Sequence, residues 1–151
     1  MKAIDIQSRD LIIVDENTSI WEVAKIMKEK DIGFIPVSSE NKIIGVITDR
    51  DIVCNAISNK SDLNKPIKDY FTKKVISVNE DDNISKILNT MRKNKVKRVL
   101  VQNDNKKLTG IISFSDILNN NEFDLLNTMK EIWSIKRNSD EYRTEVDEFY
   151  L

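Results

Sequence analysis

An internal repeat constrains the fold of this chain more than any other feature. Residues 45–52 read GVITDRDI and residues 110–117 read GIISFSDI, so a glycine, two branched apolar residues, a hydroxyl residue, an aspartate and an isoleucine recur in one order. Upstream, residues 3–37 align with residues 67–101, and the apolar positions stay in register. A repeat of this length predicts two copies of one supersecondary unit, because such units bury their apolar faces against each other.

The composition narrows the class of protein. The 151 residues are 40% hydrophobic and 32% charged, with a net charge of −1, which predicts a soluble globular protein and disfavours a nucleic-acid surface. No apolar run approaches the ~18 residues that a membrane span needs, and the Met1 end does not resemble a signal peptide. With one cysteine and no histidine, the chain can form no internal disulfide, Ser-His or Cys-His pair, or usual zinc site. We therefore expect a cytoplasmic protein that is not an enzyme and holds no metal.

Each repeat predicts the order strand, helix, strand, strand, helix. In the first repeat, Ser19 and Glu22 form a capping-box pattern, Gly33 ends the helix, and Pro36 makes its strand irregular or places it at an edge. The next helix begins at Asp49. The strands are predicted at residues 11–14, 34–37 and 43–48, then at 75–78, 98–101 and 108–113. The side chains predicted to face inward from the Asp49 helix are Ile52, Val53, Ala56 and Ile57.

The second repeat follows the same plan. Asn83 is a plausible cap for its first helix, and Asn119, Asn120 and Asn121 are expected to break its last helix and offer a cap. One unit of about 60 residues buries too little surface alone, so we expect two units stacked by pseudo-twofold symmetry around a shared core. The predicted division is residues 1–63, residues 64–119 and a helical C-terminal extension over residues 120–151.

These motifs resemble a known family. An apolar-Pro-Val strand followed by Gly-apolar-apolar-Thr-x-x-Asp-Ile is similar to the CBS domain, named from cystathionine β-synthase, and two in tandem resemble a Bateman module. The resemblance covers roughly residues 3–119. It implies an α/β fold with a cleft between the repeats. In this family that cleft commonly binds an adenosine-containing ligand: AMP, ADP, ATP, NAD, S-adenosylmethionine or a cyclic dinucleotide.

The resemblance also assigns roles to particular residues. Asp51 and Asp116 would accept both hydroxyls of a ribose, because an ionised carboxylate is an acceptor only. Thr48 and Ser113 would meet a phosphate at a helix start. The complete set that the resemblance assigns to ligand binding is Ile12, Ile13, Gly33, Phe34, Ile35, Pro36, Thr48, Asp51, Thr72, Ile76, Ser77, Lys97, Arg98, Ser113 and Asp116.

The two sites are expected to differ. We group Lys97 and Arg98 with Asp116 in one basic site that suits a polyphosphate, where Asp116 should matter more than Asp51. The other site, with Gly33, Phe34 and Pro36, suits a less charged ligand or none. The hydroxyl-x-x-Asp motifs equally fit helix caps, a role compatible with an empty cleft. Phe114, which replaces Asp49, either crowds its site or stacks on the ligand.

The resulting prediction is a regulatory module that acts on a separate, unidentified protein. The alternative is a structural or interaction module that dimerises and keeps a vestigial nucleotide cleft. The tail adds an apolar stripe at helical spacing, which either packs on its own module or forms part of a homodimer contact, and we favour the contact. The stripe residues are Leu126, Met129, Ile132 and Trp133.

Overall fold

Two small mixed sheets form the framework of the computed structural model, which describes residues 1–120. The first sheet has strands in the order β1-β2-β3 and the second in the order β4-β5-β6; the first pair in each is parallel and the second antiparallel. The strands are β1 (Val14–Asp15), β2 (Phe34–Ser39), β3 (Lys42–Thr48), β4 (Ser77–Asn79), β5 (Arg98–Gln102) and β6 (Leu108–Ser113). The predicted duplicated α/β plan is confirmed.

Helices connect and cover these strands. They are α1 (Ala3–Ile6), α2 (Ile20–Lys30), α3 (Asp49–Asp51), which continues as a π-helix over Ile52–Ile57, a 3₁₀ turn at Ile67–Asp69, α4 (Ile84–Asn94) and α5 (Phe114–Asn120). Helix α5 contains Asn119 and Asn120, and Asn121, the third asparagine of the predicted break, lies outside the described residues. Residues 121–151 lie outside the described residues, so the predicted helical extension, its apolar stripe and the predicted domain division stay predictions.

The two long helices begin as predicted and end differently. Ser19 accepts a hydrogen bond from the Glu22 N–H at 3.2 Å, and Asn83 caps α4 in the same way. Helix α2 ends at Asp31, which has a left-handed φ of 52°. Asp31, and not Gly33 as predicted, is therefore the residue that terminates this helix. Lys95 ends α4 with a matching φ of 54°. The two repeats therefore share their helix-capping geometry at both ends.

The helix after the first motif corrects our prediction of its inward face. Ile52 and Ala56 are buried, whereas Val53 and Ile57 are 56% and 55% exposed. Residues four apart lie on one face of a helix, so Ile52 and Ala56 share the buried face while Val53 and Ile57 lie about a quarter turn away from it. The segment is also wound as a π-helix, in which hydrogen bonds such as Ser58 N to Val53 O span five residues.

Pro36 explains why the first strand is shorter than predicted. In the second repeat the Leu100 N–H donates to the Ile76 carbonyl at 3.0 Å and fixes the start of the sheet. Pro36 is the equivalent of Leu100 and has no N–H to donate, so Ile12 is not held this way and β1 begins at Val14. Strand β2 is central and not at an edge, but it has the predicted irregularity, a register shift after Val37.

The molecule has two hydrophobic cores and not the shared core that we predicted. Each core lies between one sheet and its helices, and each is completed by a segment from the start of the other repeat. Ile67 and Phe71 are buried in the first core, and Ala3 is buried in the second. The Ile67 N–H donates to the Thr18 carbonyl at 2.9 Å. The two repeats thus exchange their opening segments.

The exchange is fixed by two pairs of backbone hydrogen bonds. Thr72 pairs with Val46 on the open edge of β3, with N–O distances of 2.9 and 3.0 Å. Ser8 pairs with Ile111 on β6, with distances of 2.9 and 3.1 Å. These bridges set the start of each repeat beside the motif of the other.

Candidate functional site

Two cavities lie between the repeats, one at each crossing point. Cleft A has a volume of about 350 Å³ and cleft B about 550 Å³, both in the range of small-molecule sites. Cleft A is lined by Ser8, Asp10, Ile12, Lys30, Asp31, Ile32, Gly33, Phe34, Arg98, Ile111 and Asp116. Cleft B is lined by Gly33, Phe34, Val46, Thr48, Asp49, Arg50, Thr72, Lys74, Ile76, Asn94, Lys95, Val96, Lys97 and Arg98.

The clefts are equivalent by the internal repeat. Each has a hydroxyl residue from an exchanged segment, Ser8 in cleft A and Thr72 in cleft B, and each has an isoleucine from the segment before the parallel strand. The Arg98 guanidinium lies 5.9 Å from the Phe34 ring centre, and both residues line both clefts. The clefts are therefore adjacent and share a wall.

The grouping of residues predicted from the sequence is wrong. Lys97 and Thr72 stand with Thr48 in cleft B, whereas Asp116 stands with Ser8 in cleft A. The reason is the exchange of opening segments, which pairs the motif of each repeat with the first half of the other. We placed two basic side chains beside Asp116. Lys97 is instead beside the other motif, whereas Arg98 lines both clefts.

In the first motif, Asp51 serves as a helix cap. Its Oδ2 accepts from the Thr48 N–H at 3.0 Å, and the Thr48 Oγ1 accepts from the Asp51 N–H at 3.1 Å. The Thr72 hydroxyl approaches both carboxylate oxygens, at 3.4 and 3.5 Å. Because a carboxylate has about four acceptor sites, the capping bonds leave acceptor capacity beside Thr72. Capping therefore leaves acceptor capacity for a ligand, but cleft B is lined by the neighbouring Thr48, Asp49 and Arg50 and not by Asp51 itself.

The second motif has the same cap in a tighter form. The Asp116 Oδ2 accepts from both the N–H and the hydroxyl of Ser113, each at 2.7 Å. Ser113 also contacts the Ser115 hydroxyl at 2.9 Å. The Ser113 hydroxyl is thus used inside the motif, and its side chain is not among those that line cleft A. The Asp116 Oδ1 takes no part in these contacts and is the oxygen suited to a ligand.

Four predicted residues have their side chains elsewhere. Ile35 is 0% exposed in the first core, and Pro36 is buried beside it. Ile13 lines a groove with Trp21 on α2, and Ser77 lines a depression with Lys86 on α4. Neighbouring side chains on an extended segment point to opposite sides, so Ile12 and Ile76 face the clefts while the residues that follow them face away.

Phe114 was expected either to crowd its site or to stack on a ligand, and its position in the structure fits neither expectation. Phe114 is 4% exposed and packs in the second core, so it neither crowds a cleft nor offers a stacking face. Its equivalent, Asp49, lies against Gly33, where an added Cβ would be 2.7 Å from the Asp49 Oδ2. Phe114 turns inward, and Lys97 can therefore occupy the position equivalent to Gly33.

Sequence reasoning missed several residues that line the clefts. Asp10, Lys74 and Lys95 lie next to predicted residues but belong to no motif. Ser8 had a signal, since the repeat aligns it with Thr72. In residues 1–120, no helix is long and apolar enough to cross a membrane, and no group of three or more Cys, Asp or Glu side chains is placed to hold a metal.

The comparison with known families decides the identity of the fold. The family model of the CBS domain matches residues 3–56 and 67–121. The chain belongs to the CBS family. Its two CBS repeats form the tandem pair that the sequence predicted.

Three relatives show what this CBS pair is similar to. An uncharacterized 17.7 kDa protein of Acidianus ambivalens is 37% identical over 77% of this chain and 70% of its own length. The CBS domain pair of protein MJ0100, solved with 5′-methylthioadenosine and S-adenosyl-L-methionine, is 32% identical, with a TM-score of 0.70 over 79% of this chain and 94% of its own. A Pyrobaculum aerophilum CBS protein complexed with AMP shares the fold at 23% identity, with a TM-score of 0.72 over 86% of this chain and 99% of its own.

Proposed function

We propose that this CBS pair is a cytoplasmic regulatory module, not an enzyme, that binds an adenosine-containing ligand between its repeats. The observation that carries the proposal is the pair of equivalent clefts, each with an aspartate motif from one repeat facing an apolar wall from the other. The relative at 32% identity was solved with two adenosine compounds, which supports the same ligand class. S-adenosylmethionine and the adenosine nucleotides are the candidate ligands.

The residues divide the recognition of such a ligand between the repeats. Asp51 and Asp116 have carboxylate oxygens that can accept the two ribose hydroxyls. Ile12 and Ile32 in cleft A, like their equivalents in cleft B, offer apolar contact to a purine ring. A ligand so placed contacts both repeats, and it regulates a target if it binds two arrangements of the repeats unequally.

A thermal-shift panel tests the proposal, with AMP, ATP, NAD, S-adenosylmethionine and cyclic di-AMP as ligands. A ligand at a hundred times its Kd adds about 2.7 kcal/mol to the free energy of unfolding. The melting temperature should then rise by roughly 5–10 °C for a chain of this size. Asp51→Ala and Asp116→Ala serve as controls, each referred to its own unliganded melt because each also loses a cap. No shift with any of these compounds at millimolar concentration would refute adenosine binding.

A second candidate function is an interaction module with an unused cleft. Val53 and Ile57 favour it, since both apolar side chains are exposed on one side of the first repeat. We propose a homodimer in which the stripe of the tail takes part. Light scattering on the full chain and on a chain ending at Asn120 tests this. A monomeric full chain refutes the dimer, and a shortened chain that dimerises equally well refutes the role of the tail.

A further inference from the structure

The two clefts have equivalent walls and opposite charge. Among the described residues, cleft B is lined by five basic side chains and one carboxylate, whereas cleft A is lined by two basic side chains and three carboxylates. The basic residues of cleft B are Arg50, Lys74, Lys95, Lys97 and Arg98. The repeat therefore conserves the positions that line the site while the lining side chains reverse its charge.

The reversal occurs at equivalent positions. Asp10 of cleft A corresponds to Lys74 of cleft B, and Asp31 corresponds to Lys95. Asp31 and Lys95 have the same left-handed backbone, with φ of 52° and 54° and ψ of 47° and 43°, so their side chains leave the helix ends in the same direction. Two such substitutions change the charge facing a ligand without changing the frame that positions it.

The backbone differs in a way that agrees with the charge. In cleft B the Ile76 carbonyl already accepts from the Leu100 N–H at 3.0 Å. In cleft A the corresponding Ile12 carbonyl lacks this partner because Pro36 has no N–H. The carboxylates that line cleft A suit donor groups and positive charge, and Pro36 leaves the Ile12 carbonyl without the strand bond that Ile76 has. Cleft B combines ammonium and guanidinium groups, which suit phosphate oxygens.

We propose that the clefts divide ligands by charge: cleft B takes a phosphate-bearing adenosine ligand, and cleft A takes a neutral or cationic one. This inference rests on the proposed adenosine function and adds to it which cleft binds which class. A cleft lined by one sign of charge concentrates ligands of the opposite sign. Because the lysines are exposed, salt should weaken the preference.

The test is titration calorimetry on the full chain with adenosine, AMP and ATP, at low and at high salt. The decisive variant is Lys74→Asp, and Lys73→Asp is its matched control, since it makes the same change of net charge one residue away and outside the lining of cleft B. At about 6 Å in a water-like dielectric, one unit charge contributes roughly threefold to affinity. Lys74→Asp changes two units, so the ratio of AMP affinity to adenosine affinity should fall about tenfold at low salt.

The mirror variant tests cleft A. Asp10→Lys gives cleft A the charge that Lys74 gives cleft B, so the number of AMP molecules bound per chain at low salt should rise from one towards two. The Asp10 and Lys74 side chains are both exposed, so their replacement should not disturb the fold, and circular dichroism checks that the variants fold.

The outcomes separate the two proposals. If adenosine binds but phosphates add no salt-sensitive affinity, or if Lys74→Asp and Lys73→Asp act alike, the division by charge is refuted and adenosine binding stands. If adenosine, AMP and ATP all fail to bind, the division by charge is refuted, and the thermal-shift panel with S-adenosylmethionine, NAD and cyclic di-AMP decides whether adenosine binding stands. A tenfold fall with Lys74→Asp alone, together with a second AMP site in Asp10→Lys, supports the division.

Discussion

Replacing Gly45 with alanine should break the exchange between the repeats. Gly45 lies in β3 beside the bridge between Val46 and Thr72, and its φ is not in the positive range, so its own backbone accepts alanine. The obstacle is the exchanged segment. An added Cβ would overlap the Thr72 carbonyl oxygen and lie 2.6 Å from the Phe71 ring. A backbone oxygen held in a bridge cannot move aside without breaking that bridge.

The cost can be estimated from the contacts that must give way. The bridge has two backbone hydrogen bonds, each contributing about 1 kcal/mol net. Displacing Phe71, a nearly buried side chain, exposes apolar surface for about another 1 kcal/mol. Gly45→Ala should therefore lower the free energy of unfolding by about 3 kcal/mol. The melting temperature should fall by roughly 6–12 °C.

Gly110→Ala is the matched control, because Gly110 holds the equivalent position in β6. There the added Cβ would meet the side chain of Gln7, with its Cδ at 2.6 Å and its Cβ at 2.8 Å, and no backbone atom is among the nearest atoms. The amide end of the glutamine can rotate away, whereas its Cβ shifts only with the backbone, so the cost should be about 1–2 kcal/mol, below that of Gly45→Ala. Urea unfolding of both variants measures the difference. A loss of stability in Gly110→Ala as large as that in Gly45→Ala would contradict the Thr72 carbonyl as the main obstacle at Gly45.

Three further predictions concern stability. Ile47→Ala should lower the free energy of unfolding by about 2–5 kcal/mol, because Ile47 is 0% exposed in the first core. In the control Val53→Ala, the free energy measured by urea unfolding should change by less than about 0.5 kcal/mol. Asp116→Ala should lower it by about 0.5–2 kcal/mol without ligand, through loss of the cap on α5, and an unchanged urea midpoint would contradict the capping role. The hydrogen bond to Asp81 raises the pKa of Lys2 above its ordinary value. The small stabilisation of the folded state by this bond should therefore be present at neutral pH and be lost as the pH rises through the folded-state pKa. The pH dependence of unfolding, compared between the unchanged chain and Lys2→Met, measures this loss.

Local features of the fold could be predicted from the sequence because neighbours in the chain decide them. Ser19 and Asn83 cap their helices through bonds that reach three residues, and the duplicated motif follows from residue order alone. The π-helix could not be predicted, because Ile52–Ile57 has the composition of an ordinary α-helix. The inward face of this segment was assigned too widely, since only Ile52 and Ala56 are buried.

The arrangement of the clefts could not be predicted for a different reason. The repeat aligns Ser8 with Thr72, but alignment does not tell whether each belongs with its own motif or with the other one. Tertiary packing decides this through Phe71, which completes the first core from the second repeat. Because the opening segments are exchanged, Lys97 lies with Thr48 in cleft B and Asp116 lies with Ser8 in cleft A. One error about packing thus reversed the charge that we gave to each site.

The exchange also determines how a ligand can act on the molecule. Neither core is complete without a segment of the other repeat, so the two repeats should unfold as one unit although each is small. Each cleft opens beside one of the two bridges, and Phe34 and Arg98 border both clefts. A ligand that moves Arg98 in one cleft changes the wall of the other, and a ligand that moves Thr72 acts on the bridge that holds Phe71 in place. We infer that occupancy of one cleft changes the wall of the other through Phe34 and Arg98, which is the coupling that the proposed regulatory function needs.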